Sequence, residues 1–443
     1  MQSIPFDPAS ARAALALLPR AAAVFALYGE VHDQPYIGRT PNLRGRLERL
    51  LQPSDKHPRR LQLAGRVRRI AYRLTGSEFE SLLAQFELLE STFGAKALER
   101  MHLKPPAFVR YLGSNPYPRV TVTHRPSQRE AGWAYGPFAS RAAAERYVDE
   151  ALKLFLLRRC TDDLAPDPSH PGCVYSEMKM CLAPCYRGCT DERYSEESAA
   201  VERFLATRGE SRLVPLRTQR DEASASLEFE TAAAIHAQVQ RVESVRALAP
   251  ELVRPLSQLR AVILQPPAVG PTGLSAPASE VQVFLFENGC LSGPAAFSTL
   301  GMRIQNEQSG SSSLFAQPMT LEPVPEEQGT GSREEGTGKR EEKIPAHDPA
   351  EGKTAAATAA APRTVLESRL ETILSELAAQ IHAPNAITRQ GHLALLKRWY
   401  YRPENKRTGE IFFPDQDGHW PVRAILRGIG RVAAKSLLAA PVE

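Results

Sequence analysis

Long apolar runs are missing from this chain of 443 residues. Nowhere do eighteen uncharged apolar residues stand together, and Arg12 and Arg20 interrupt the apolar N-terminal stretch. That leaves no candidate membrane span and no candidate secretory leader, so the expected compartment is the cytoplasm. Aspartate is scarce in the second half: beyond residue 250 it occurs only as Asp348, Asp415 and Asp417. A hydrolytic site that holds two divalent cations on paired carboxylates cannot readily be built from so few. Strong charge of one sign is missing too. The net charge is +5 and the pI about 8.8, so the distribution of the basic residues matters more than their total.

Cysteine is scarce but concentrated. Five of the six fall within thirty residues, at Cys160, Cys173, Cys181, Cys185 and Cys189. Disulfides suit a reducing compartment poorly, and buried structural thiols have no reason to gather in this way. The concentration points to thiolate ligands for an iron–sulfur cluster or for zinc. The Cys181-Leu-Ala-Pro184-Cys185 turn brings two sulfurs together locally. Arg158, Arg159, Lys179 and Arg187 add positive charge that favours thiolates.

The length predicts two to four domains. Val24 to Tyr28 and Gln34 to Ile37 read as two strands around a turn containing Gly29, His32 and Asp33, with Gly38 ending the second. Thr40-Pro41 then opens a helix whose Leu43, Leu47 and Leu50 form a stripe, with Arg46 on its edge. Ser77-x-x-Glu80 is a capping box before a second helix that buries Phe79, Leu82, Leu83, Phe86, Leu89 and Phe93. Between Arg39 and Arg73 the acids are Glu48 and Asp55, against Arg44, Arg46, Arg49, Lys56, Arg59, Arg60, Arg66, Arg68 and Arg69. So one-sided an excess suits a polyanion, with DNA the natural candidate.

Further on, Ala142 to Leu157 is a helical pattern that feeds into Cys160. Ser195 to Thr207 and Thr218 to Leu248 suit an antiparallel pair of helices. Ala261 to Leu264 and Val281 to Phe286 read as strands, with a turn at Glu287-Asn288-Gly289. His392 to Tyr401 looks like a helix end with exposed aromatics and cations. Arg423 to Lys435 holds a Gly428-x-Gly430 turn of the helix-hairpin-helix kind. Residues 303–362 are poor in apolar anchors and are expected to be a disordered linker.

Gly136-Pro-Phe-Ala-Ser140, Leu154-Phe155 with Arg158-Arg-Cys160, and Cys173-Val-Tyr with Cys181-Leu-Ala-Pro-Cys185 together resemble the middle of UvrC, a component of the bacterial UvrABC excinuclease. The likeness covers about the first 250 residues. It implies a [4Fe–4S] cluster on Cys160, Cys173, Cys181 and Cys185, with Cys189 spare and zinc as the alternative. Tyr36-Ile-Gly38-Arg39-Thr40 and Asn42-Leu43-Arg44-x-Arg46-Leu47 resemble the second half of the GIY-YIG nuclease motif. That resemblance puts Tyr36 near a nucleophilic water and Arg46 on the scissile phosphate, with Arg39 contributing. Mg²⁺ or Mn²⁺ is implied only if the site cleaves, and Arg44, Arg49, Arg66 and Arg69 are implied DNA contacts. Three departures stand out. Phe25 replaces the family's first tyrosine, Gln85 occupies the position of its metal-binding glutamate, and the run from Lys104 to Phe108 lacks its asparagine.

Leu227-Glu-Phe229-Glu230 with Ala233 and Ile235 resembles the UVR motif, through which UvrC pairs with UvrB; His236 and Ala237 stand where the family has arginine and aspartate. The expected fold is α/β (α+β) and multidomain. A GIY-YIG-like unit spans 15–110, a cysteine connector 111–190 and a helical region 191–250. A remnant of an RNase H-like domain spans 255–302 and 363–443. The expected function is in nucleotide excision repair: making or assisting incision of damaged double-stranded DNA with UvrB, in the manner of the short Cho-type homologues of UvrC and within the SOS response. The alternative is a DNA- and UvrB-binding adaptor without catalysis.

Overall fold

A continuous apolar run, Ala23 to Tyr28, forms a central strand of the first sheet, and two helices cover its faces. Its strands are β1 (Gln2–Pro5), β2 (Ala23–Tyr28) and β3 (Tyr36–Thr40), then, after helix α1 (Leu43–Leu51), β4 (Arg69–Leu74); α2 (Glu78–Phe93) follows. The order is β1-β4-β2-β3, antiparallel throughout, so β3 is an edge strand. Phe25, Leu27, Ile70 and Tyr72 share one face with Leu43, Leu47 and Leu51 of α1. The opposite face is covered by α2, where Arg73 of β4 pairs with Glu87 at 3.3 Å. The computed structural model describes residues 1–30, 34–51, 63–127, 129, 131–161, 164–268, 280–300, 302–306, 319–322, 363–381, 385–415 and 417–439.

Three local expectations need correction here. Gly38 does not end its strand but lies inside β3, directly opposite Phe25. A Cβ there would stand 2.9 Å from Phe25 Cζ, so the missing side chain makes room for that ring. The cap of α1 is Asn42, whose Oδ1 accepts the Gly45 N–H at 2.9 Å, while Thr40 Oγ1 accepts the N–H of Asn42. At α2 the Ser77 hydroxyl accepts the Glu80 N–H at 3.1 Å, but the Glu80 carboxylate reaches back to Gly76, one residue earlier than a capping box requires. The cap itself contributes about 1 kcal/mol.

The second unit begins with β5 (Ala107–Tyr111), β6 (Val120–Thr123), β7 (Ala134–Phe138) and α3 (Arg141–Leu152). It continues through α4 (Asp191–Ala206), α5 (Glu210–Ala225) and α6 (Phe229–Ala247), and β8 (Arg254–Pro255) completes the sheet in the order β6-β5-β7-β8. The single helix expected from Thr218 to Leu248 is two helices. Leu227 adopts a left-handed φ of 62°, and the Glu228 N–H closes on the Ala223 carbonyl at 2.9 Å. That closure stops α5 and turns the chain back as α6, so the antiparallel hairpin is α5 with α6.

The third unit comprises β9 (Ala261–Gln265), β10 (Glu280–Glu287), β11 (Cys290–Ser298), β12 (Arg303–Asn306), β13 (Met319–Glu322), α7 (Arg363–Ala379), α8 (Ala386–Tyr400), β14 (Glu410–Phe412) and α9 (Val422–Ala439). Its main sheet runs β11-β10-β9-β14. Asn288 and Gly289, both at positive φ, form the tight turn from β10 to β11. Within the stretch expected to be a disordered linker, β12 and β13 pair antiparallel; most of its other residues lie outside those described. The helix-hairpin-helix turn is absent, because Gly428 and Gly430 sit inside the continuous α9. A Cβ at Gly428 would meet Phe412 Cζ at 2.4 Å, so this glycine lets the helix approach β14 closely. The aromatics ending α8 are not exposed either. Trp399 is buried and donates to the Thr408 carbonyl at 3.0 Å, and Tyr400 and Tyr401 are half-buried.

The first and third units share one core. Phe79 of α2 packs edge-on against Phe284 of β10 at 5.3 Å and against Trp399 of α8 at 5.4 Å. Where α8 crosses α2, a Cβ at Gly391 would stand 2.0 Å from Phe86 Cζ. His392 lies beside this crossing, its ring 5.6 Å from that of Phe86. Its Nδ1 accepts the Leu291 N–H at 3.0 Å, and burial lowers its pKa to about 4.

A histidine held neutral in this way stabilises the fold fully above its unfolded pKa of about 6.5, and that contribution is lost as pH falls toward 4. The shift corresponds to about 3 kcal/mol. Denaturant titrations of wild type and His392→Gln at pH 7.5 and pH 4.5 should differ by most of that amount in their pH response, wild type losing more. Equal losses in the two proteins would remove His392 as the cause.

Candidate functional site

The catalytic candidates gather around the rim of β3, but on two sides of the sheet. Alternation puts Tyr36 on the face of Phe25, with the rings 6.1 Å apart, and Tyr36 remains 37% exposed. Arg46, half-buried on α1, belongs to this side. Arg39 projects to the opposite face, where it meets Glu78 of α2 at 3.5 Å. Gln85 is half-buried on α2, on the Arg39 side of the sheet. Tyr36 and Arg46 thus lie on one side of the sheet and Gln85 on the other, and groups from both faces can approach one phosphate at the β3 edge.

The carboxylates of α2 are already engaged. Glu78 takes both guanidinium N–H groups of Arg402 at 2.6 and 2.8 Å, as well as Arg39. Burial raises its pKa, but Arg402, Arg39 and Arg398 outweigh that and hold it below the usual value. Glu80 is buried with a raised pKa, bonded to Gly76. Glu87, also raised by burial, pairs with Arg73. Glu90 accepts from Asn385 at 3.3 Å and from the Thr388 hydroxyl at the start of α8. No spacing in the sequence signals the Glu78–Arg402 pair, whose members lie 324 positions apart.

Among the other basic residues, Arg44 donates to the Leu18 carbonyl at 2.6 Å and Arg49 to Gly45 at 3.0 Å. Arg69 lies 4.0 Å over the Tyr28 ring, and Arg66 ends the short helix Leu63–Arg66. Lys56, Arg59 and Arg60, like His32 and Asp33, lie outside the described residues.

The cysteine connector folds back on itself after α3. Leu182 N–H bonds to the Leu156 carbonyl at 3.0 Å and Asp167 N–H to that of Cys185 at 2.9 Å, which draws the distant cysteines together. Arg158 donates to Cys160 Sγ at 3.5 Å and the Ala183 N–H to Cys181 Sγ at 3.3 Å. Cys173 and Cys185 are hydrogen-bonded to one another. Burial, then the charges of Cys160, Cys173 and Cys185, pushes the Cys181 thiol up to about 11. Burial also raises Cys173, but N–H and O–H donors at Ser176 outweigh it and leave that thiol below its usual value. Cys189 instead packs at the margin of the second core.

Among the described residues, the one set of three His, Cys, Asp or Glu ligand atoms that closes to within 4.8 Å is Asp415, Asp417 and His419, all exposed. Asp415 uses its carboxylate on the N–H groups of Asp417 and His419, as a turn residue does. No three of the connector's described thiols close to within 4.8 Å of one another.

At the tip of the α5–α6 hairpin, Leu227 and Phe229 are 72% and 65% exposed. Glu230, Ala233 and Ile235 follow on α6, the first two exposed and Ile235 half-buried. His236 contacts Gln240 one turn on, at 3.1 Å.

Residues 108–204, which include every cysteine of the connector, match the family model of the UvrC/Cho excinuclease middle domain. The UvrABC system protein C of Alcanivorax borkumensis is 29% identical over 211 residues, 48% of this chain and 34% of that protein. That of Idiomarina loihiensis is 29% identical over 220 residues, 49% and 35% of the two chains. That of Ruminiclostridium cellulolyticum is 27% identical over 267 residues, 59% and 42%. The matched stretch thus spans about a third to two fifths of the length of these curated relatives. No solved structure matches. Residues 108–204 thus resemble the middle domain of the UvrC family, and UvrC proteins align along about half of this chain.

Proposed function

We propose that this protein acts in nucleotide excision repair beside a UvrB-like partner, binding damaged duplex DNA and making or assisting its incision. The observation that carries this reading is the middle-domain match, because it contains the four-cysteine stretch and adjoins both the basic N-terminal unit and the helical hairpin. Arg39, Arg44, Arg46, Arg49, Arg66 and Arg69 supply the charge for phosphate, and Leu227 and Phe229 the apolar tip for the partner.

Cys160, Cys173, Cys181 and Cys185 would hold the [4Fe–4S] cluster. The donors from Arg158 and Ala183 to two of the sulfurs support an anionic, sulfur-rich centre, with zinc as the alternative. Such a centre would tie the connector to itself. Anaerobically purified protein should be brown and contain about four irons per chain. Cys189→Ser should keep the iron and Cys181→Ser should lose it. Stoichiometric zinc without iron would replace the cluster with structural zinc.

Tyr36, Arg39 and Arg46 retain groups for holding a phosphate, whereas Gln85 offers no charge to a hard cation. Glu87 and Glu90, the neighbouring carboxylates, are held by Arg73 and by the start of α8. This engagement is the observation in favour of the adaptor reading. Nicking of damaged duplex with Mg²⁺ or Mn²⁺, UvrA and UvrB should be slow, orders of magnitude below a site with full metal stabilisation. Gln85→Glu, alone or with Phe25→Tyr, should raise it by about tenfold or more. Fast wild-type cleavage abolished by Glu87→Ala would overturn the role given to Gln85. Binding without cleavage by any of these proteins would establish the adaptor.

The hairpin tip yields a separate expectation. Phe229→Ser and Leu227→Ser should each weaken UvrB binding by about tenfold, the effect of withdrawing a large apolar group from an interface. Both residues are exposed, so the unfolding midpoint should stay close to that of wild type. Unchanged UvrB affinity in the double variant would remove the tip from the interface.

A further inference from the structure

A cavity of about 290 Å³ lies where α8 meets the segment between α2 and β5, lined by His102, Lys104, Ala139, Lys397, Arg398 and Tyr401 among others. Four of these six side chains are basic or can become so. Among the described residues, no carboxylate lies within ion-pair distance of Lys104, Lys397 or Arg398. The Lys397 ammonium reaches only a backbone carbonyl, that of Lys104, at 3.4 Å. Burial and the neighbouring Lys104 charge lower its pKa, so the pocket concentrates positive charge around Lys397. Ala139 precedes Ser140, the N-cap of α3, and brings the positive end of that twelve-residue helix to the pocket wall. Tyr401 is anchored by its hydroxyl on the Pro137 carbonyl at 2.9 Å, which fixes the far wall.

The surroundings show what could occupy it. Arg398 acts electrostatically on Glu78, the same carboxylate that pairs with Arg402 and with Arg39 at the β3 rim. Positive groups therefore continue from the rim along α8 to the cavity, with Glu78 neutralised between two arginines. We propose that Lys104, Lys397 and Arg398 bind a backbone phosphate of DNA that passes from the β3 rim along α8, making the third unit a direct DNA-binding element. Phosphate oxygens would supply anionic acceptors at ion-pair distance, which these three cations do not have among the described residues. A polynucleotide backbone also explains why the positive groups form a track and not one isolated pocket.

The inference rests on the DNA-binding reading above, and the test separates the two. The full chain is titrated with a labelled damaged duplex over a range of salt, as wild type, Lys104→Gln, Lys397→Gln and Arg398→Gln, with Lys406→Gln as control. Each pocket variant should lose about three- to tenfold in affinity, and the salt slope should fall by about one for a lost phosphate contact. Lys406→Gln should match wild type. Lys104 and Arg398 are exposed, so their variants report binding even if Lys397→Gln disturbs packing. Wild-type binding with unchanged affinity and slope in Lys104→Gln and Arg398→Gln would overturn this site alone. No DNA binding by wild type would overturn the site and the functional reading together. Inorganic phosphate at millimolar concentration should compete weakly; full competition would reassign the pocket to small free anions.

Discussion

The contact between α2 and α8 is the constraint on which the remaining arrangement depends. Gly391 permits it, because any side chain there would overlap the Phe86 ring. Phe79, Leu82, Leu83, Phe86 and Leu89 belong to the same core as Phe284, Phe286, Leu393 and Trp399. Each large apolar side chain buried there contributes roughly 1.5–3 kcal/mol. An amphipathic helix that covers a sheet commonly shows water its outer face. Here the third unit covers α2 as well, so residues of that helix answer to two packing surfaces.

That double coverage explains how its acids are used. Glu90 binds the start of α8, Glu78 takes Arg402 from just beyond its end, Glu87 takes Arg73 from the sheet, and Glu80 serves the helix's own start. Two of these links join units distant in sequence. Part-exposed ion pairs contribute at most about 1 kcal/mol each, so they orient the interface more than they stabilise it. The consequence lies in the electrostatics: charges paired with arginine do less to repel DNA.

Local chemistry made much of the fold legible. The stripe of Leu43 and Leu47, the buried face from Phe79 to Leu89 and the Asn288-Gly289 turn follow from helical periodicity and turn preference alone. Misreadings arose where a distant partner decided the outcome. Gly38 and Gly428 look like chain breakers until Phe25 and Phe412 are placed against them. Trp399 and Tyr401 look exposed until β10, Thr408 and Pro137 cover them. The candidate site divides in the same manner. The cysteines announce themselves by spacing, whereas the cavity of Lys104, Lys397 and Arg398 joins residues nearly three hundred positions apart and has no local pattern to betray it.

On the proposed reading, an amide at Gln85 where a metal site would need a carboxylate is consistent with the remaining charges. A carboxylate beside a phosphate is useful only when a cation lies between them. Without one, two like charges about 5 Å apart repel by roughly 1–3 kcal/mol at the effective dielectric of a protein surface. A neutral amide removes that repulsion and leaves Tyr36, Arg39 and Arg46 in place. On that reading, a weakened metal position and the retained arginines would act in one direction. They would favour holding the DNA backbone at the β3 rim over cutting it quickly, and the proposed basic track along α8 would lengthen the hold.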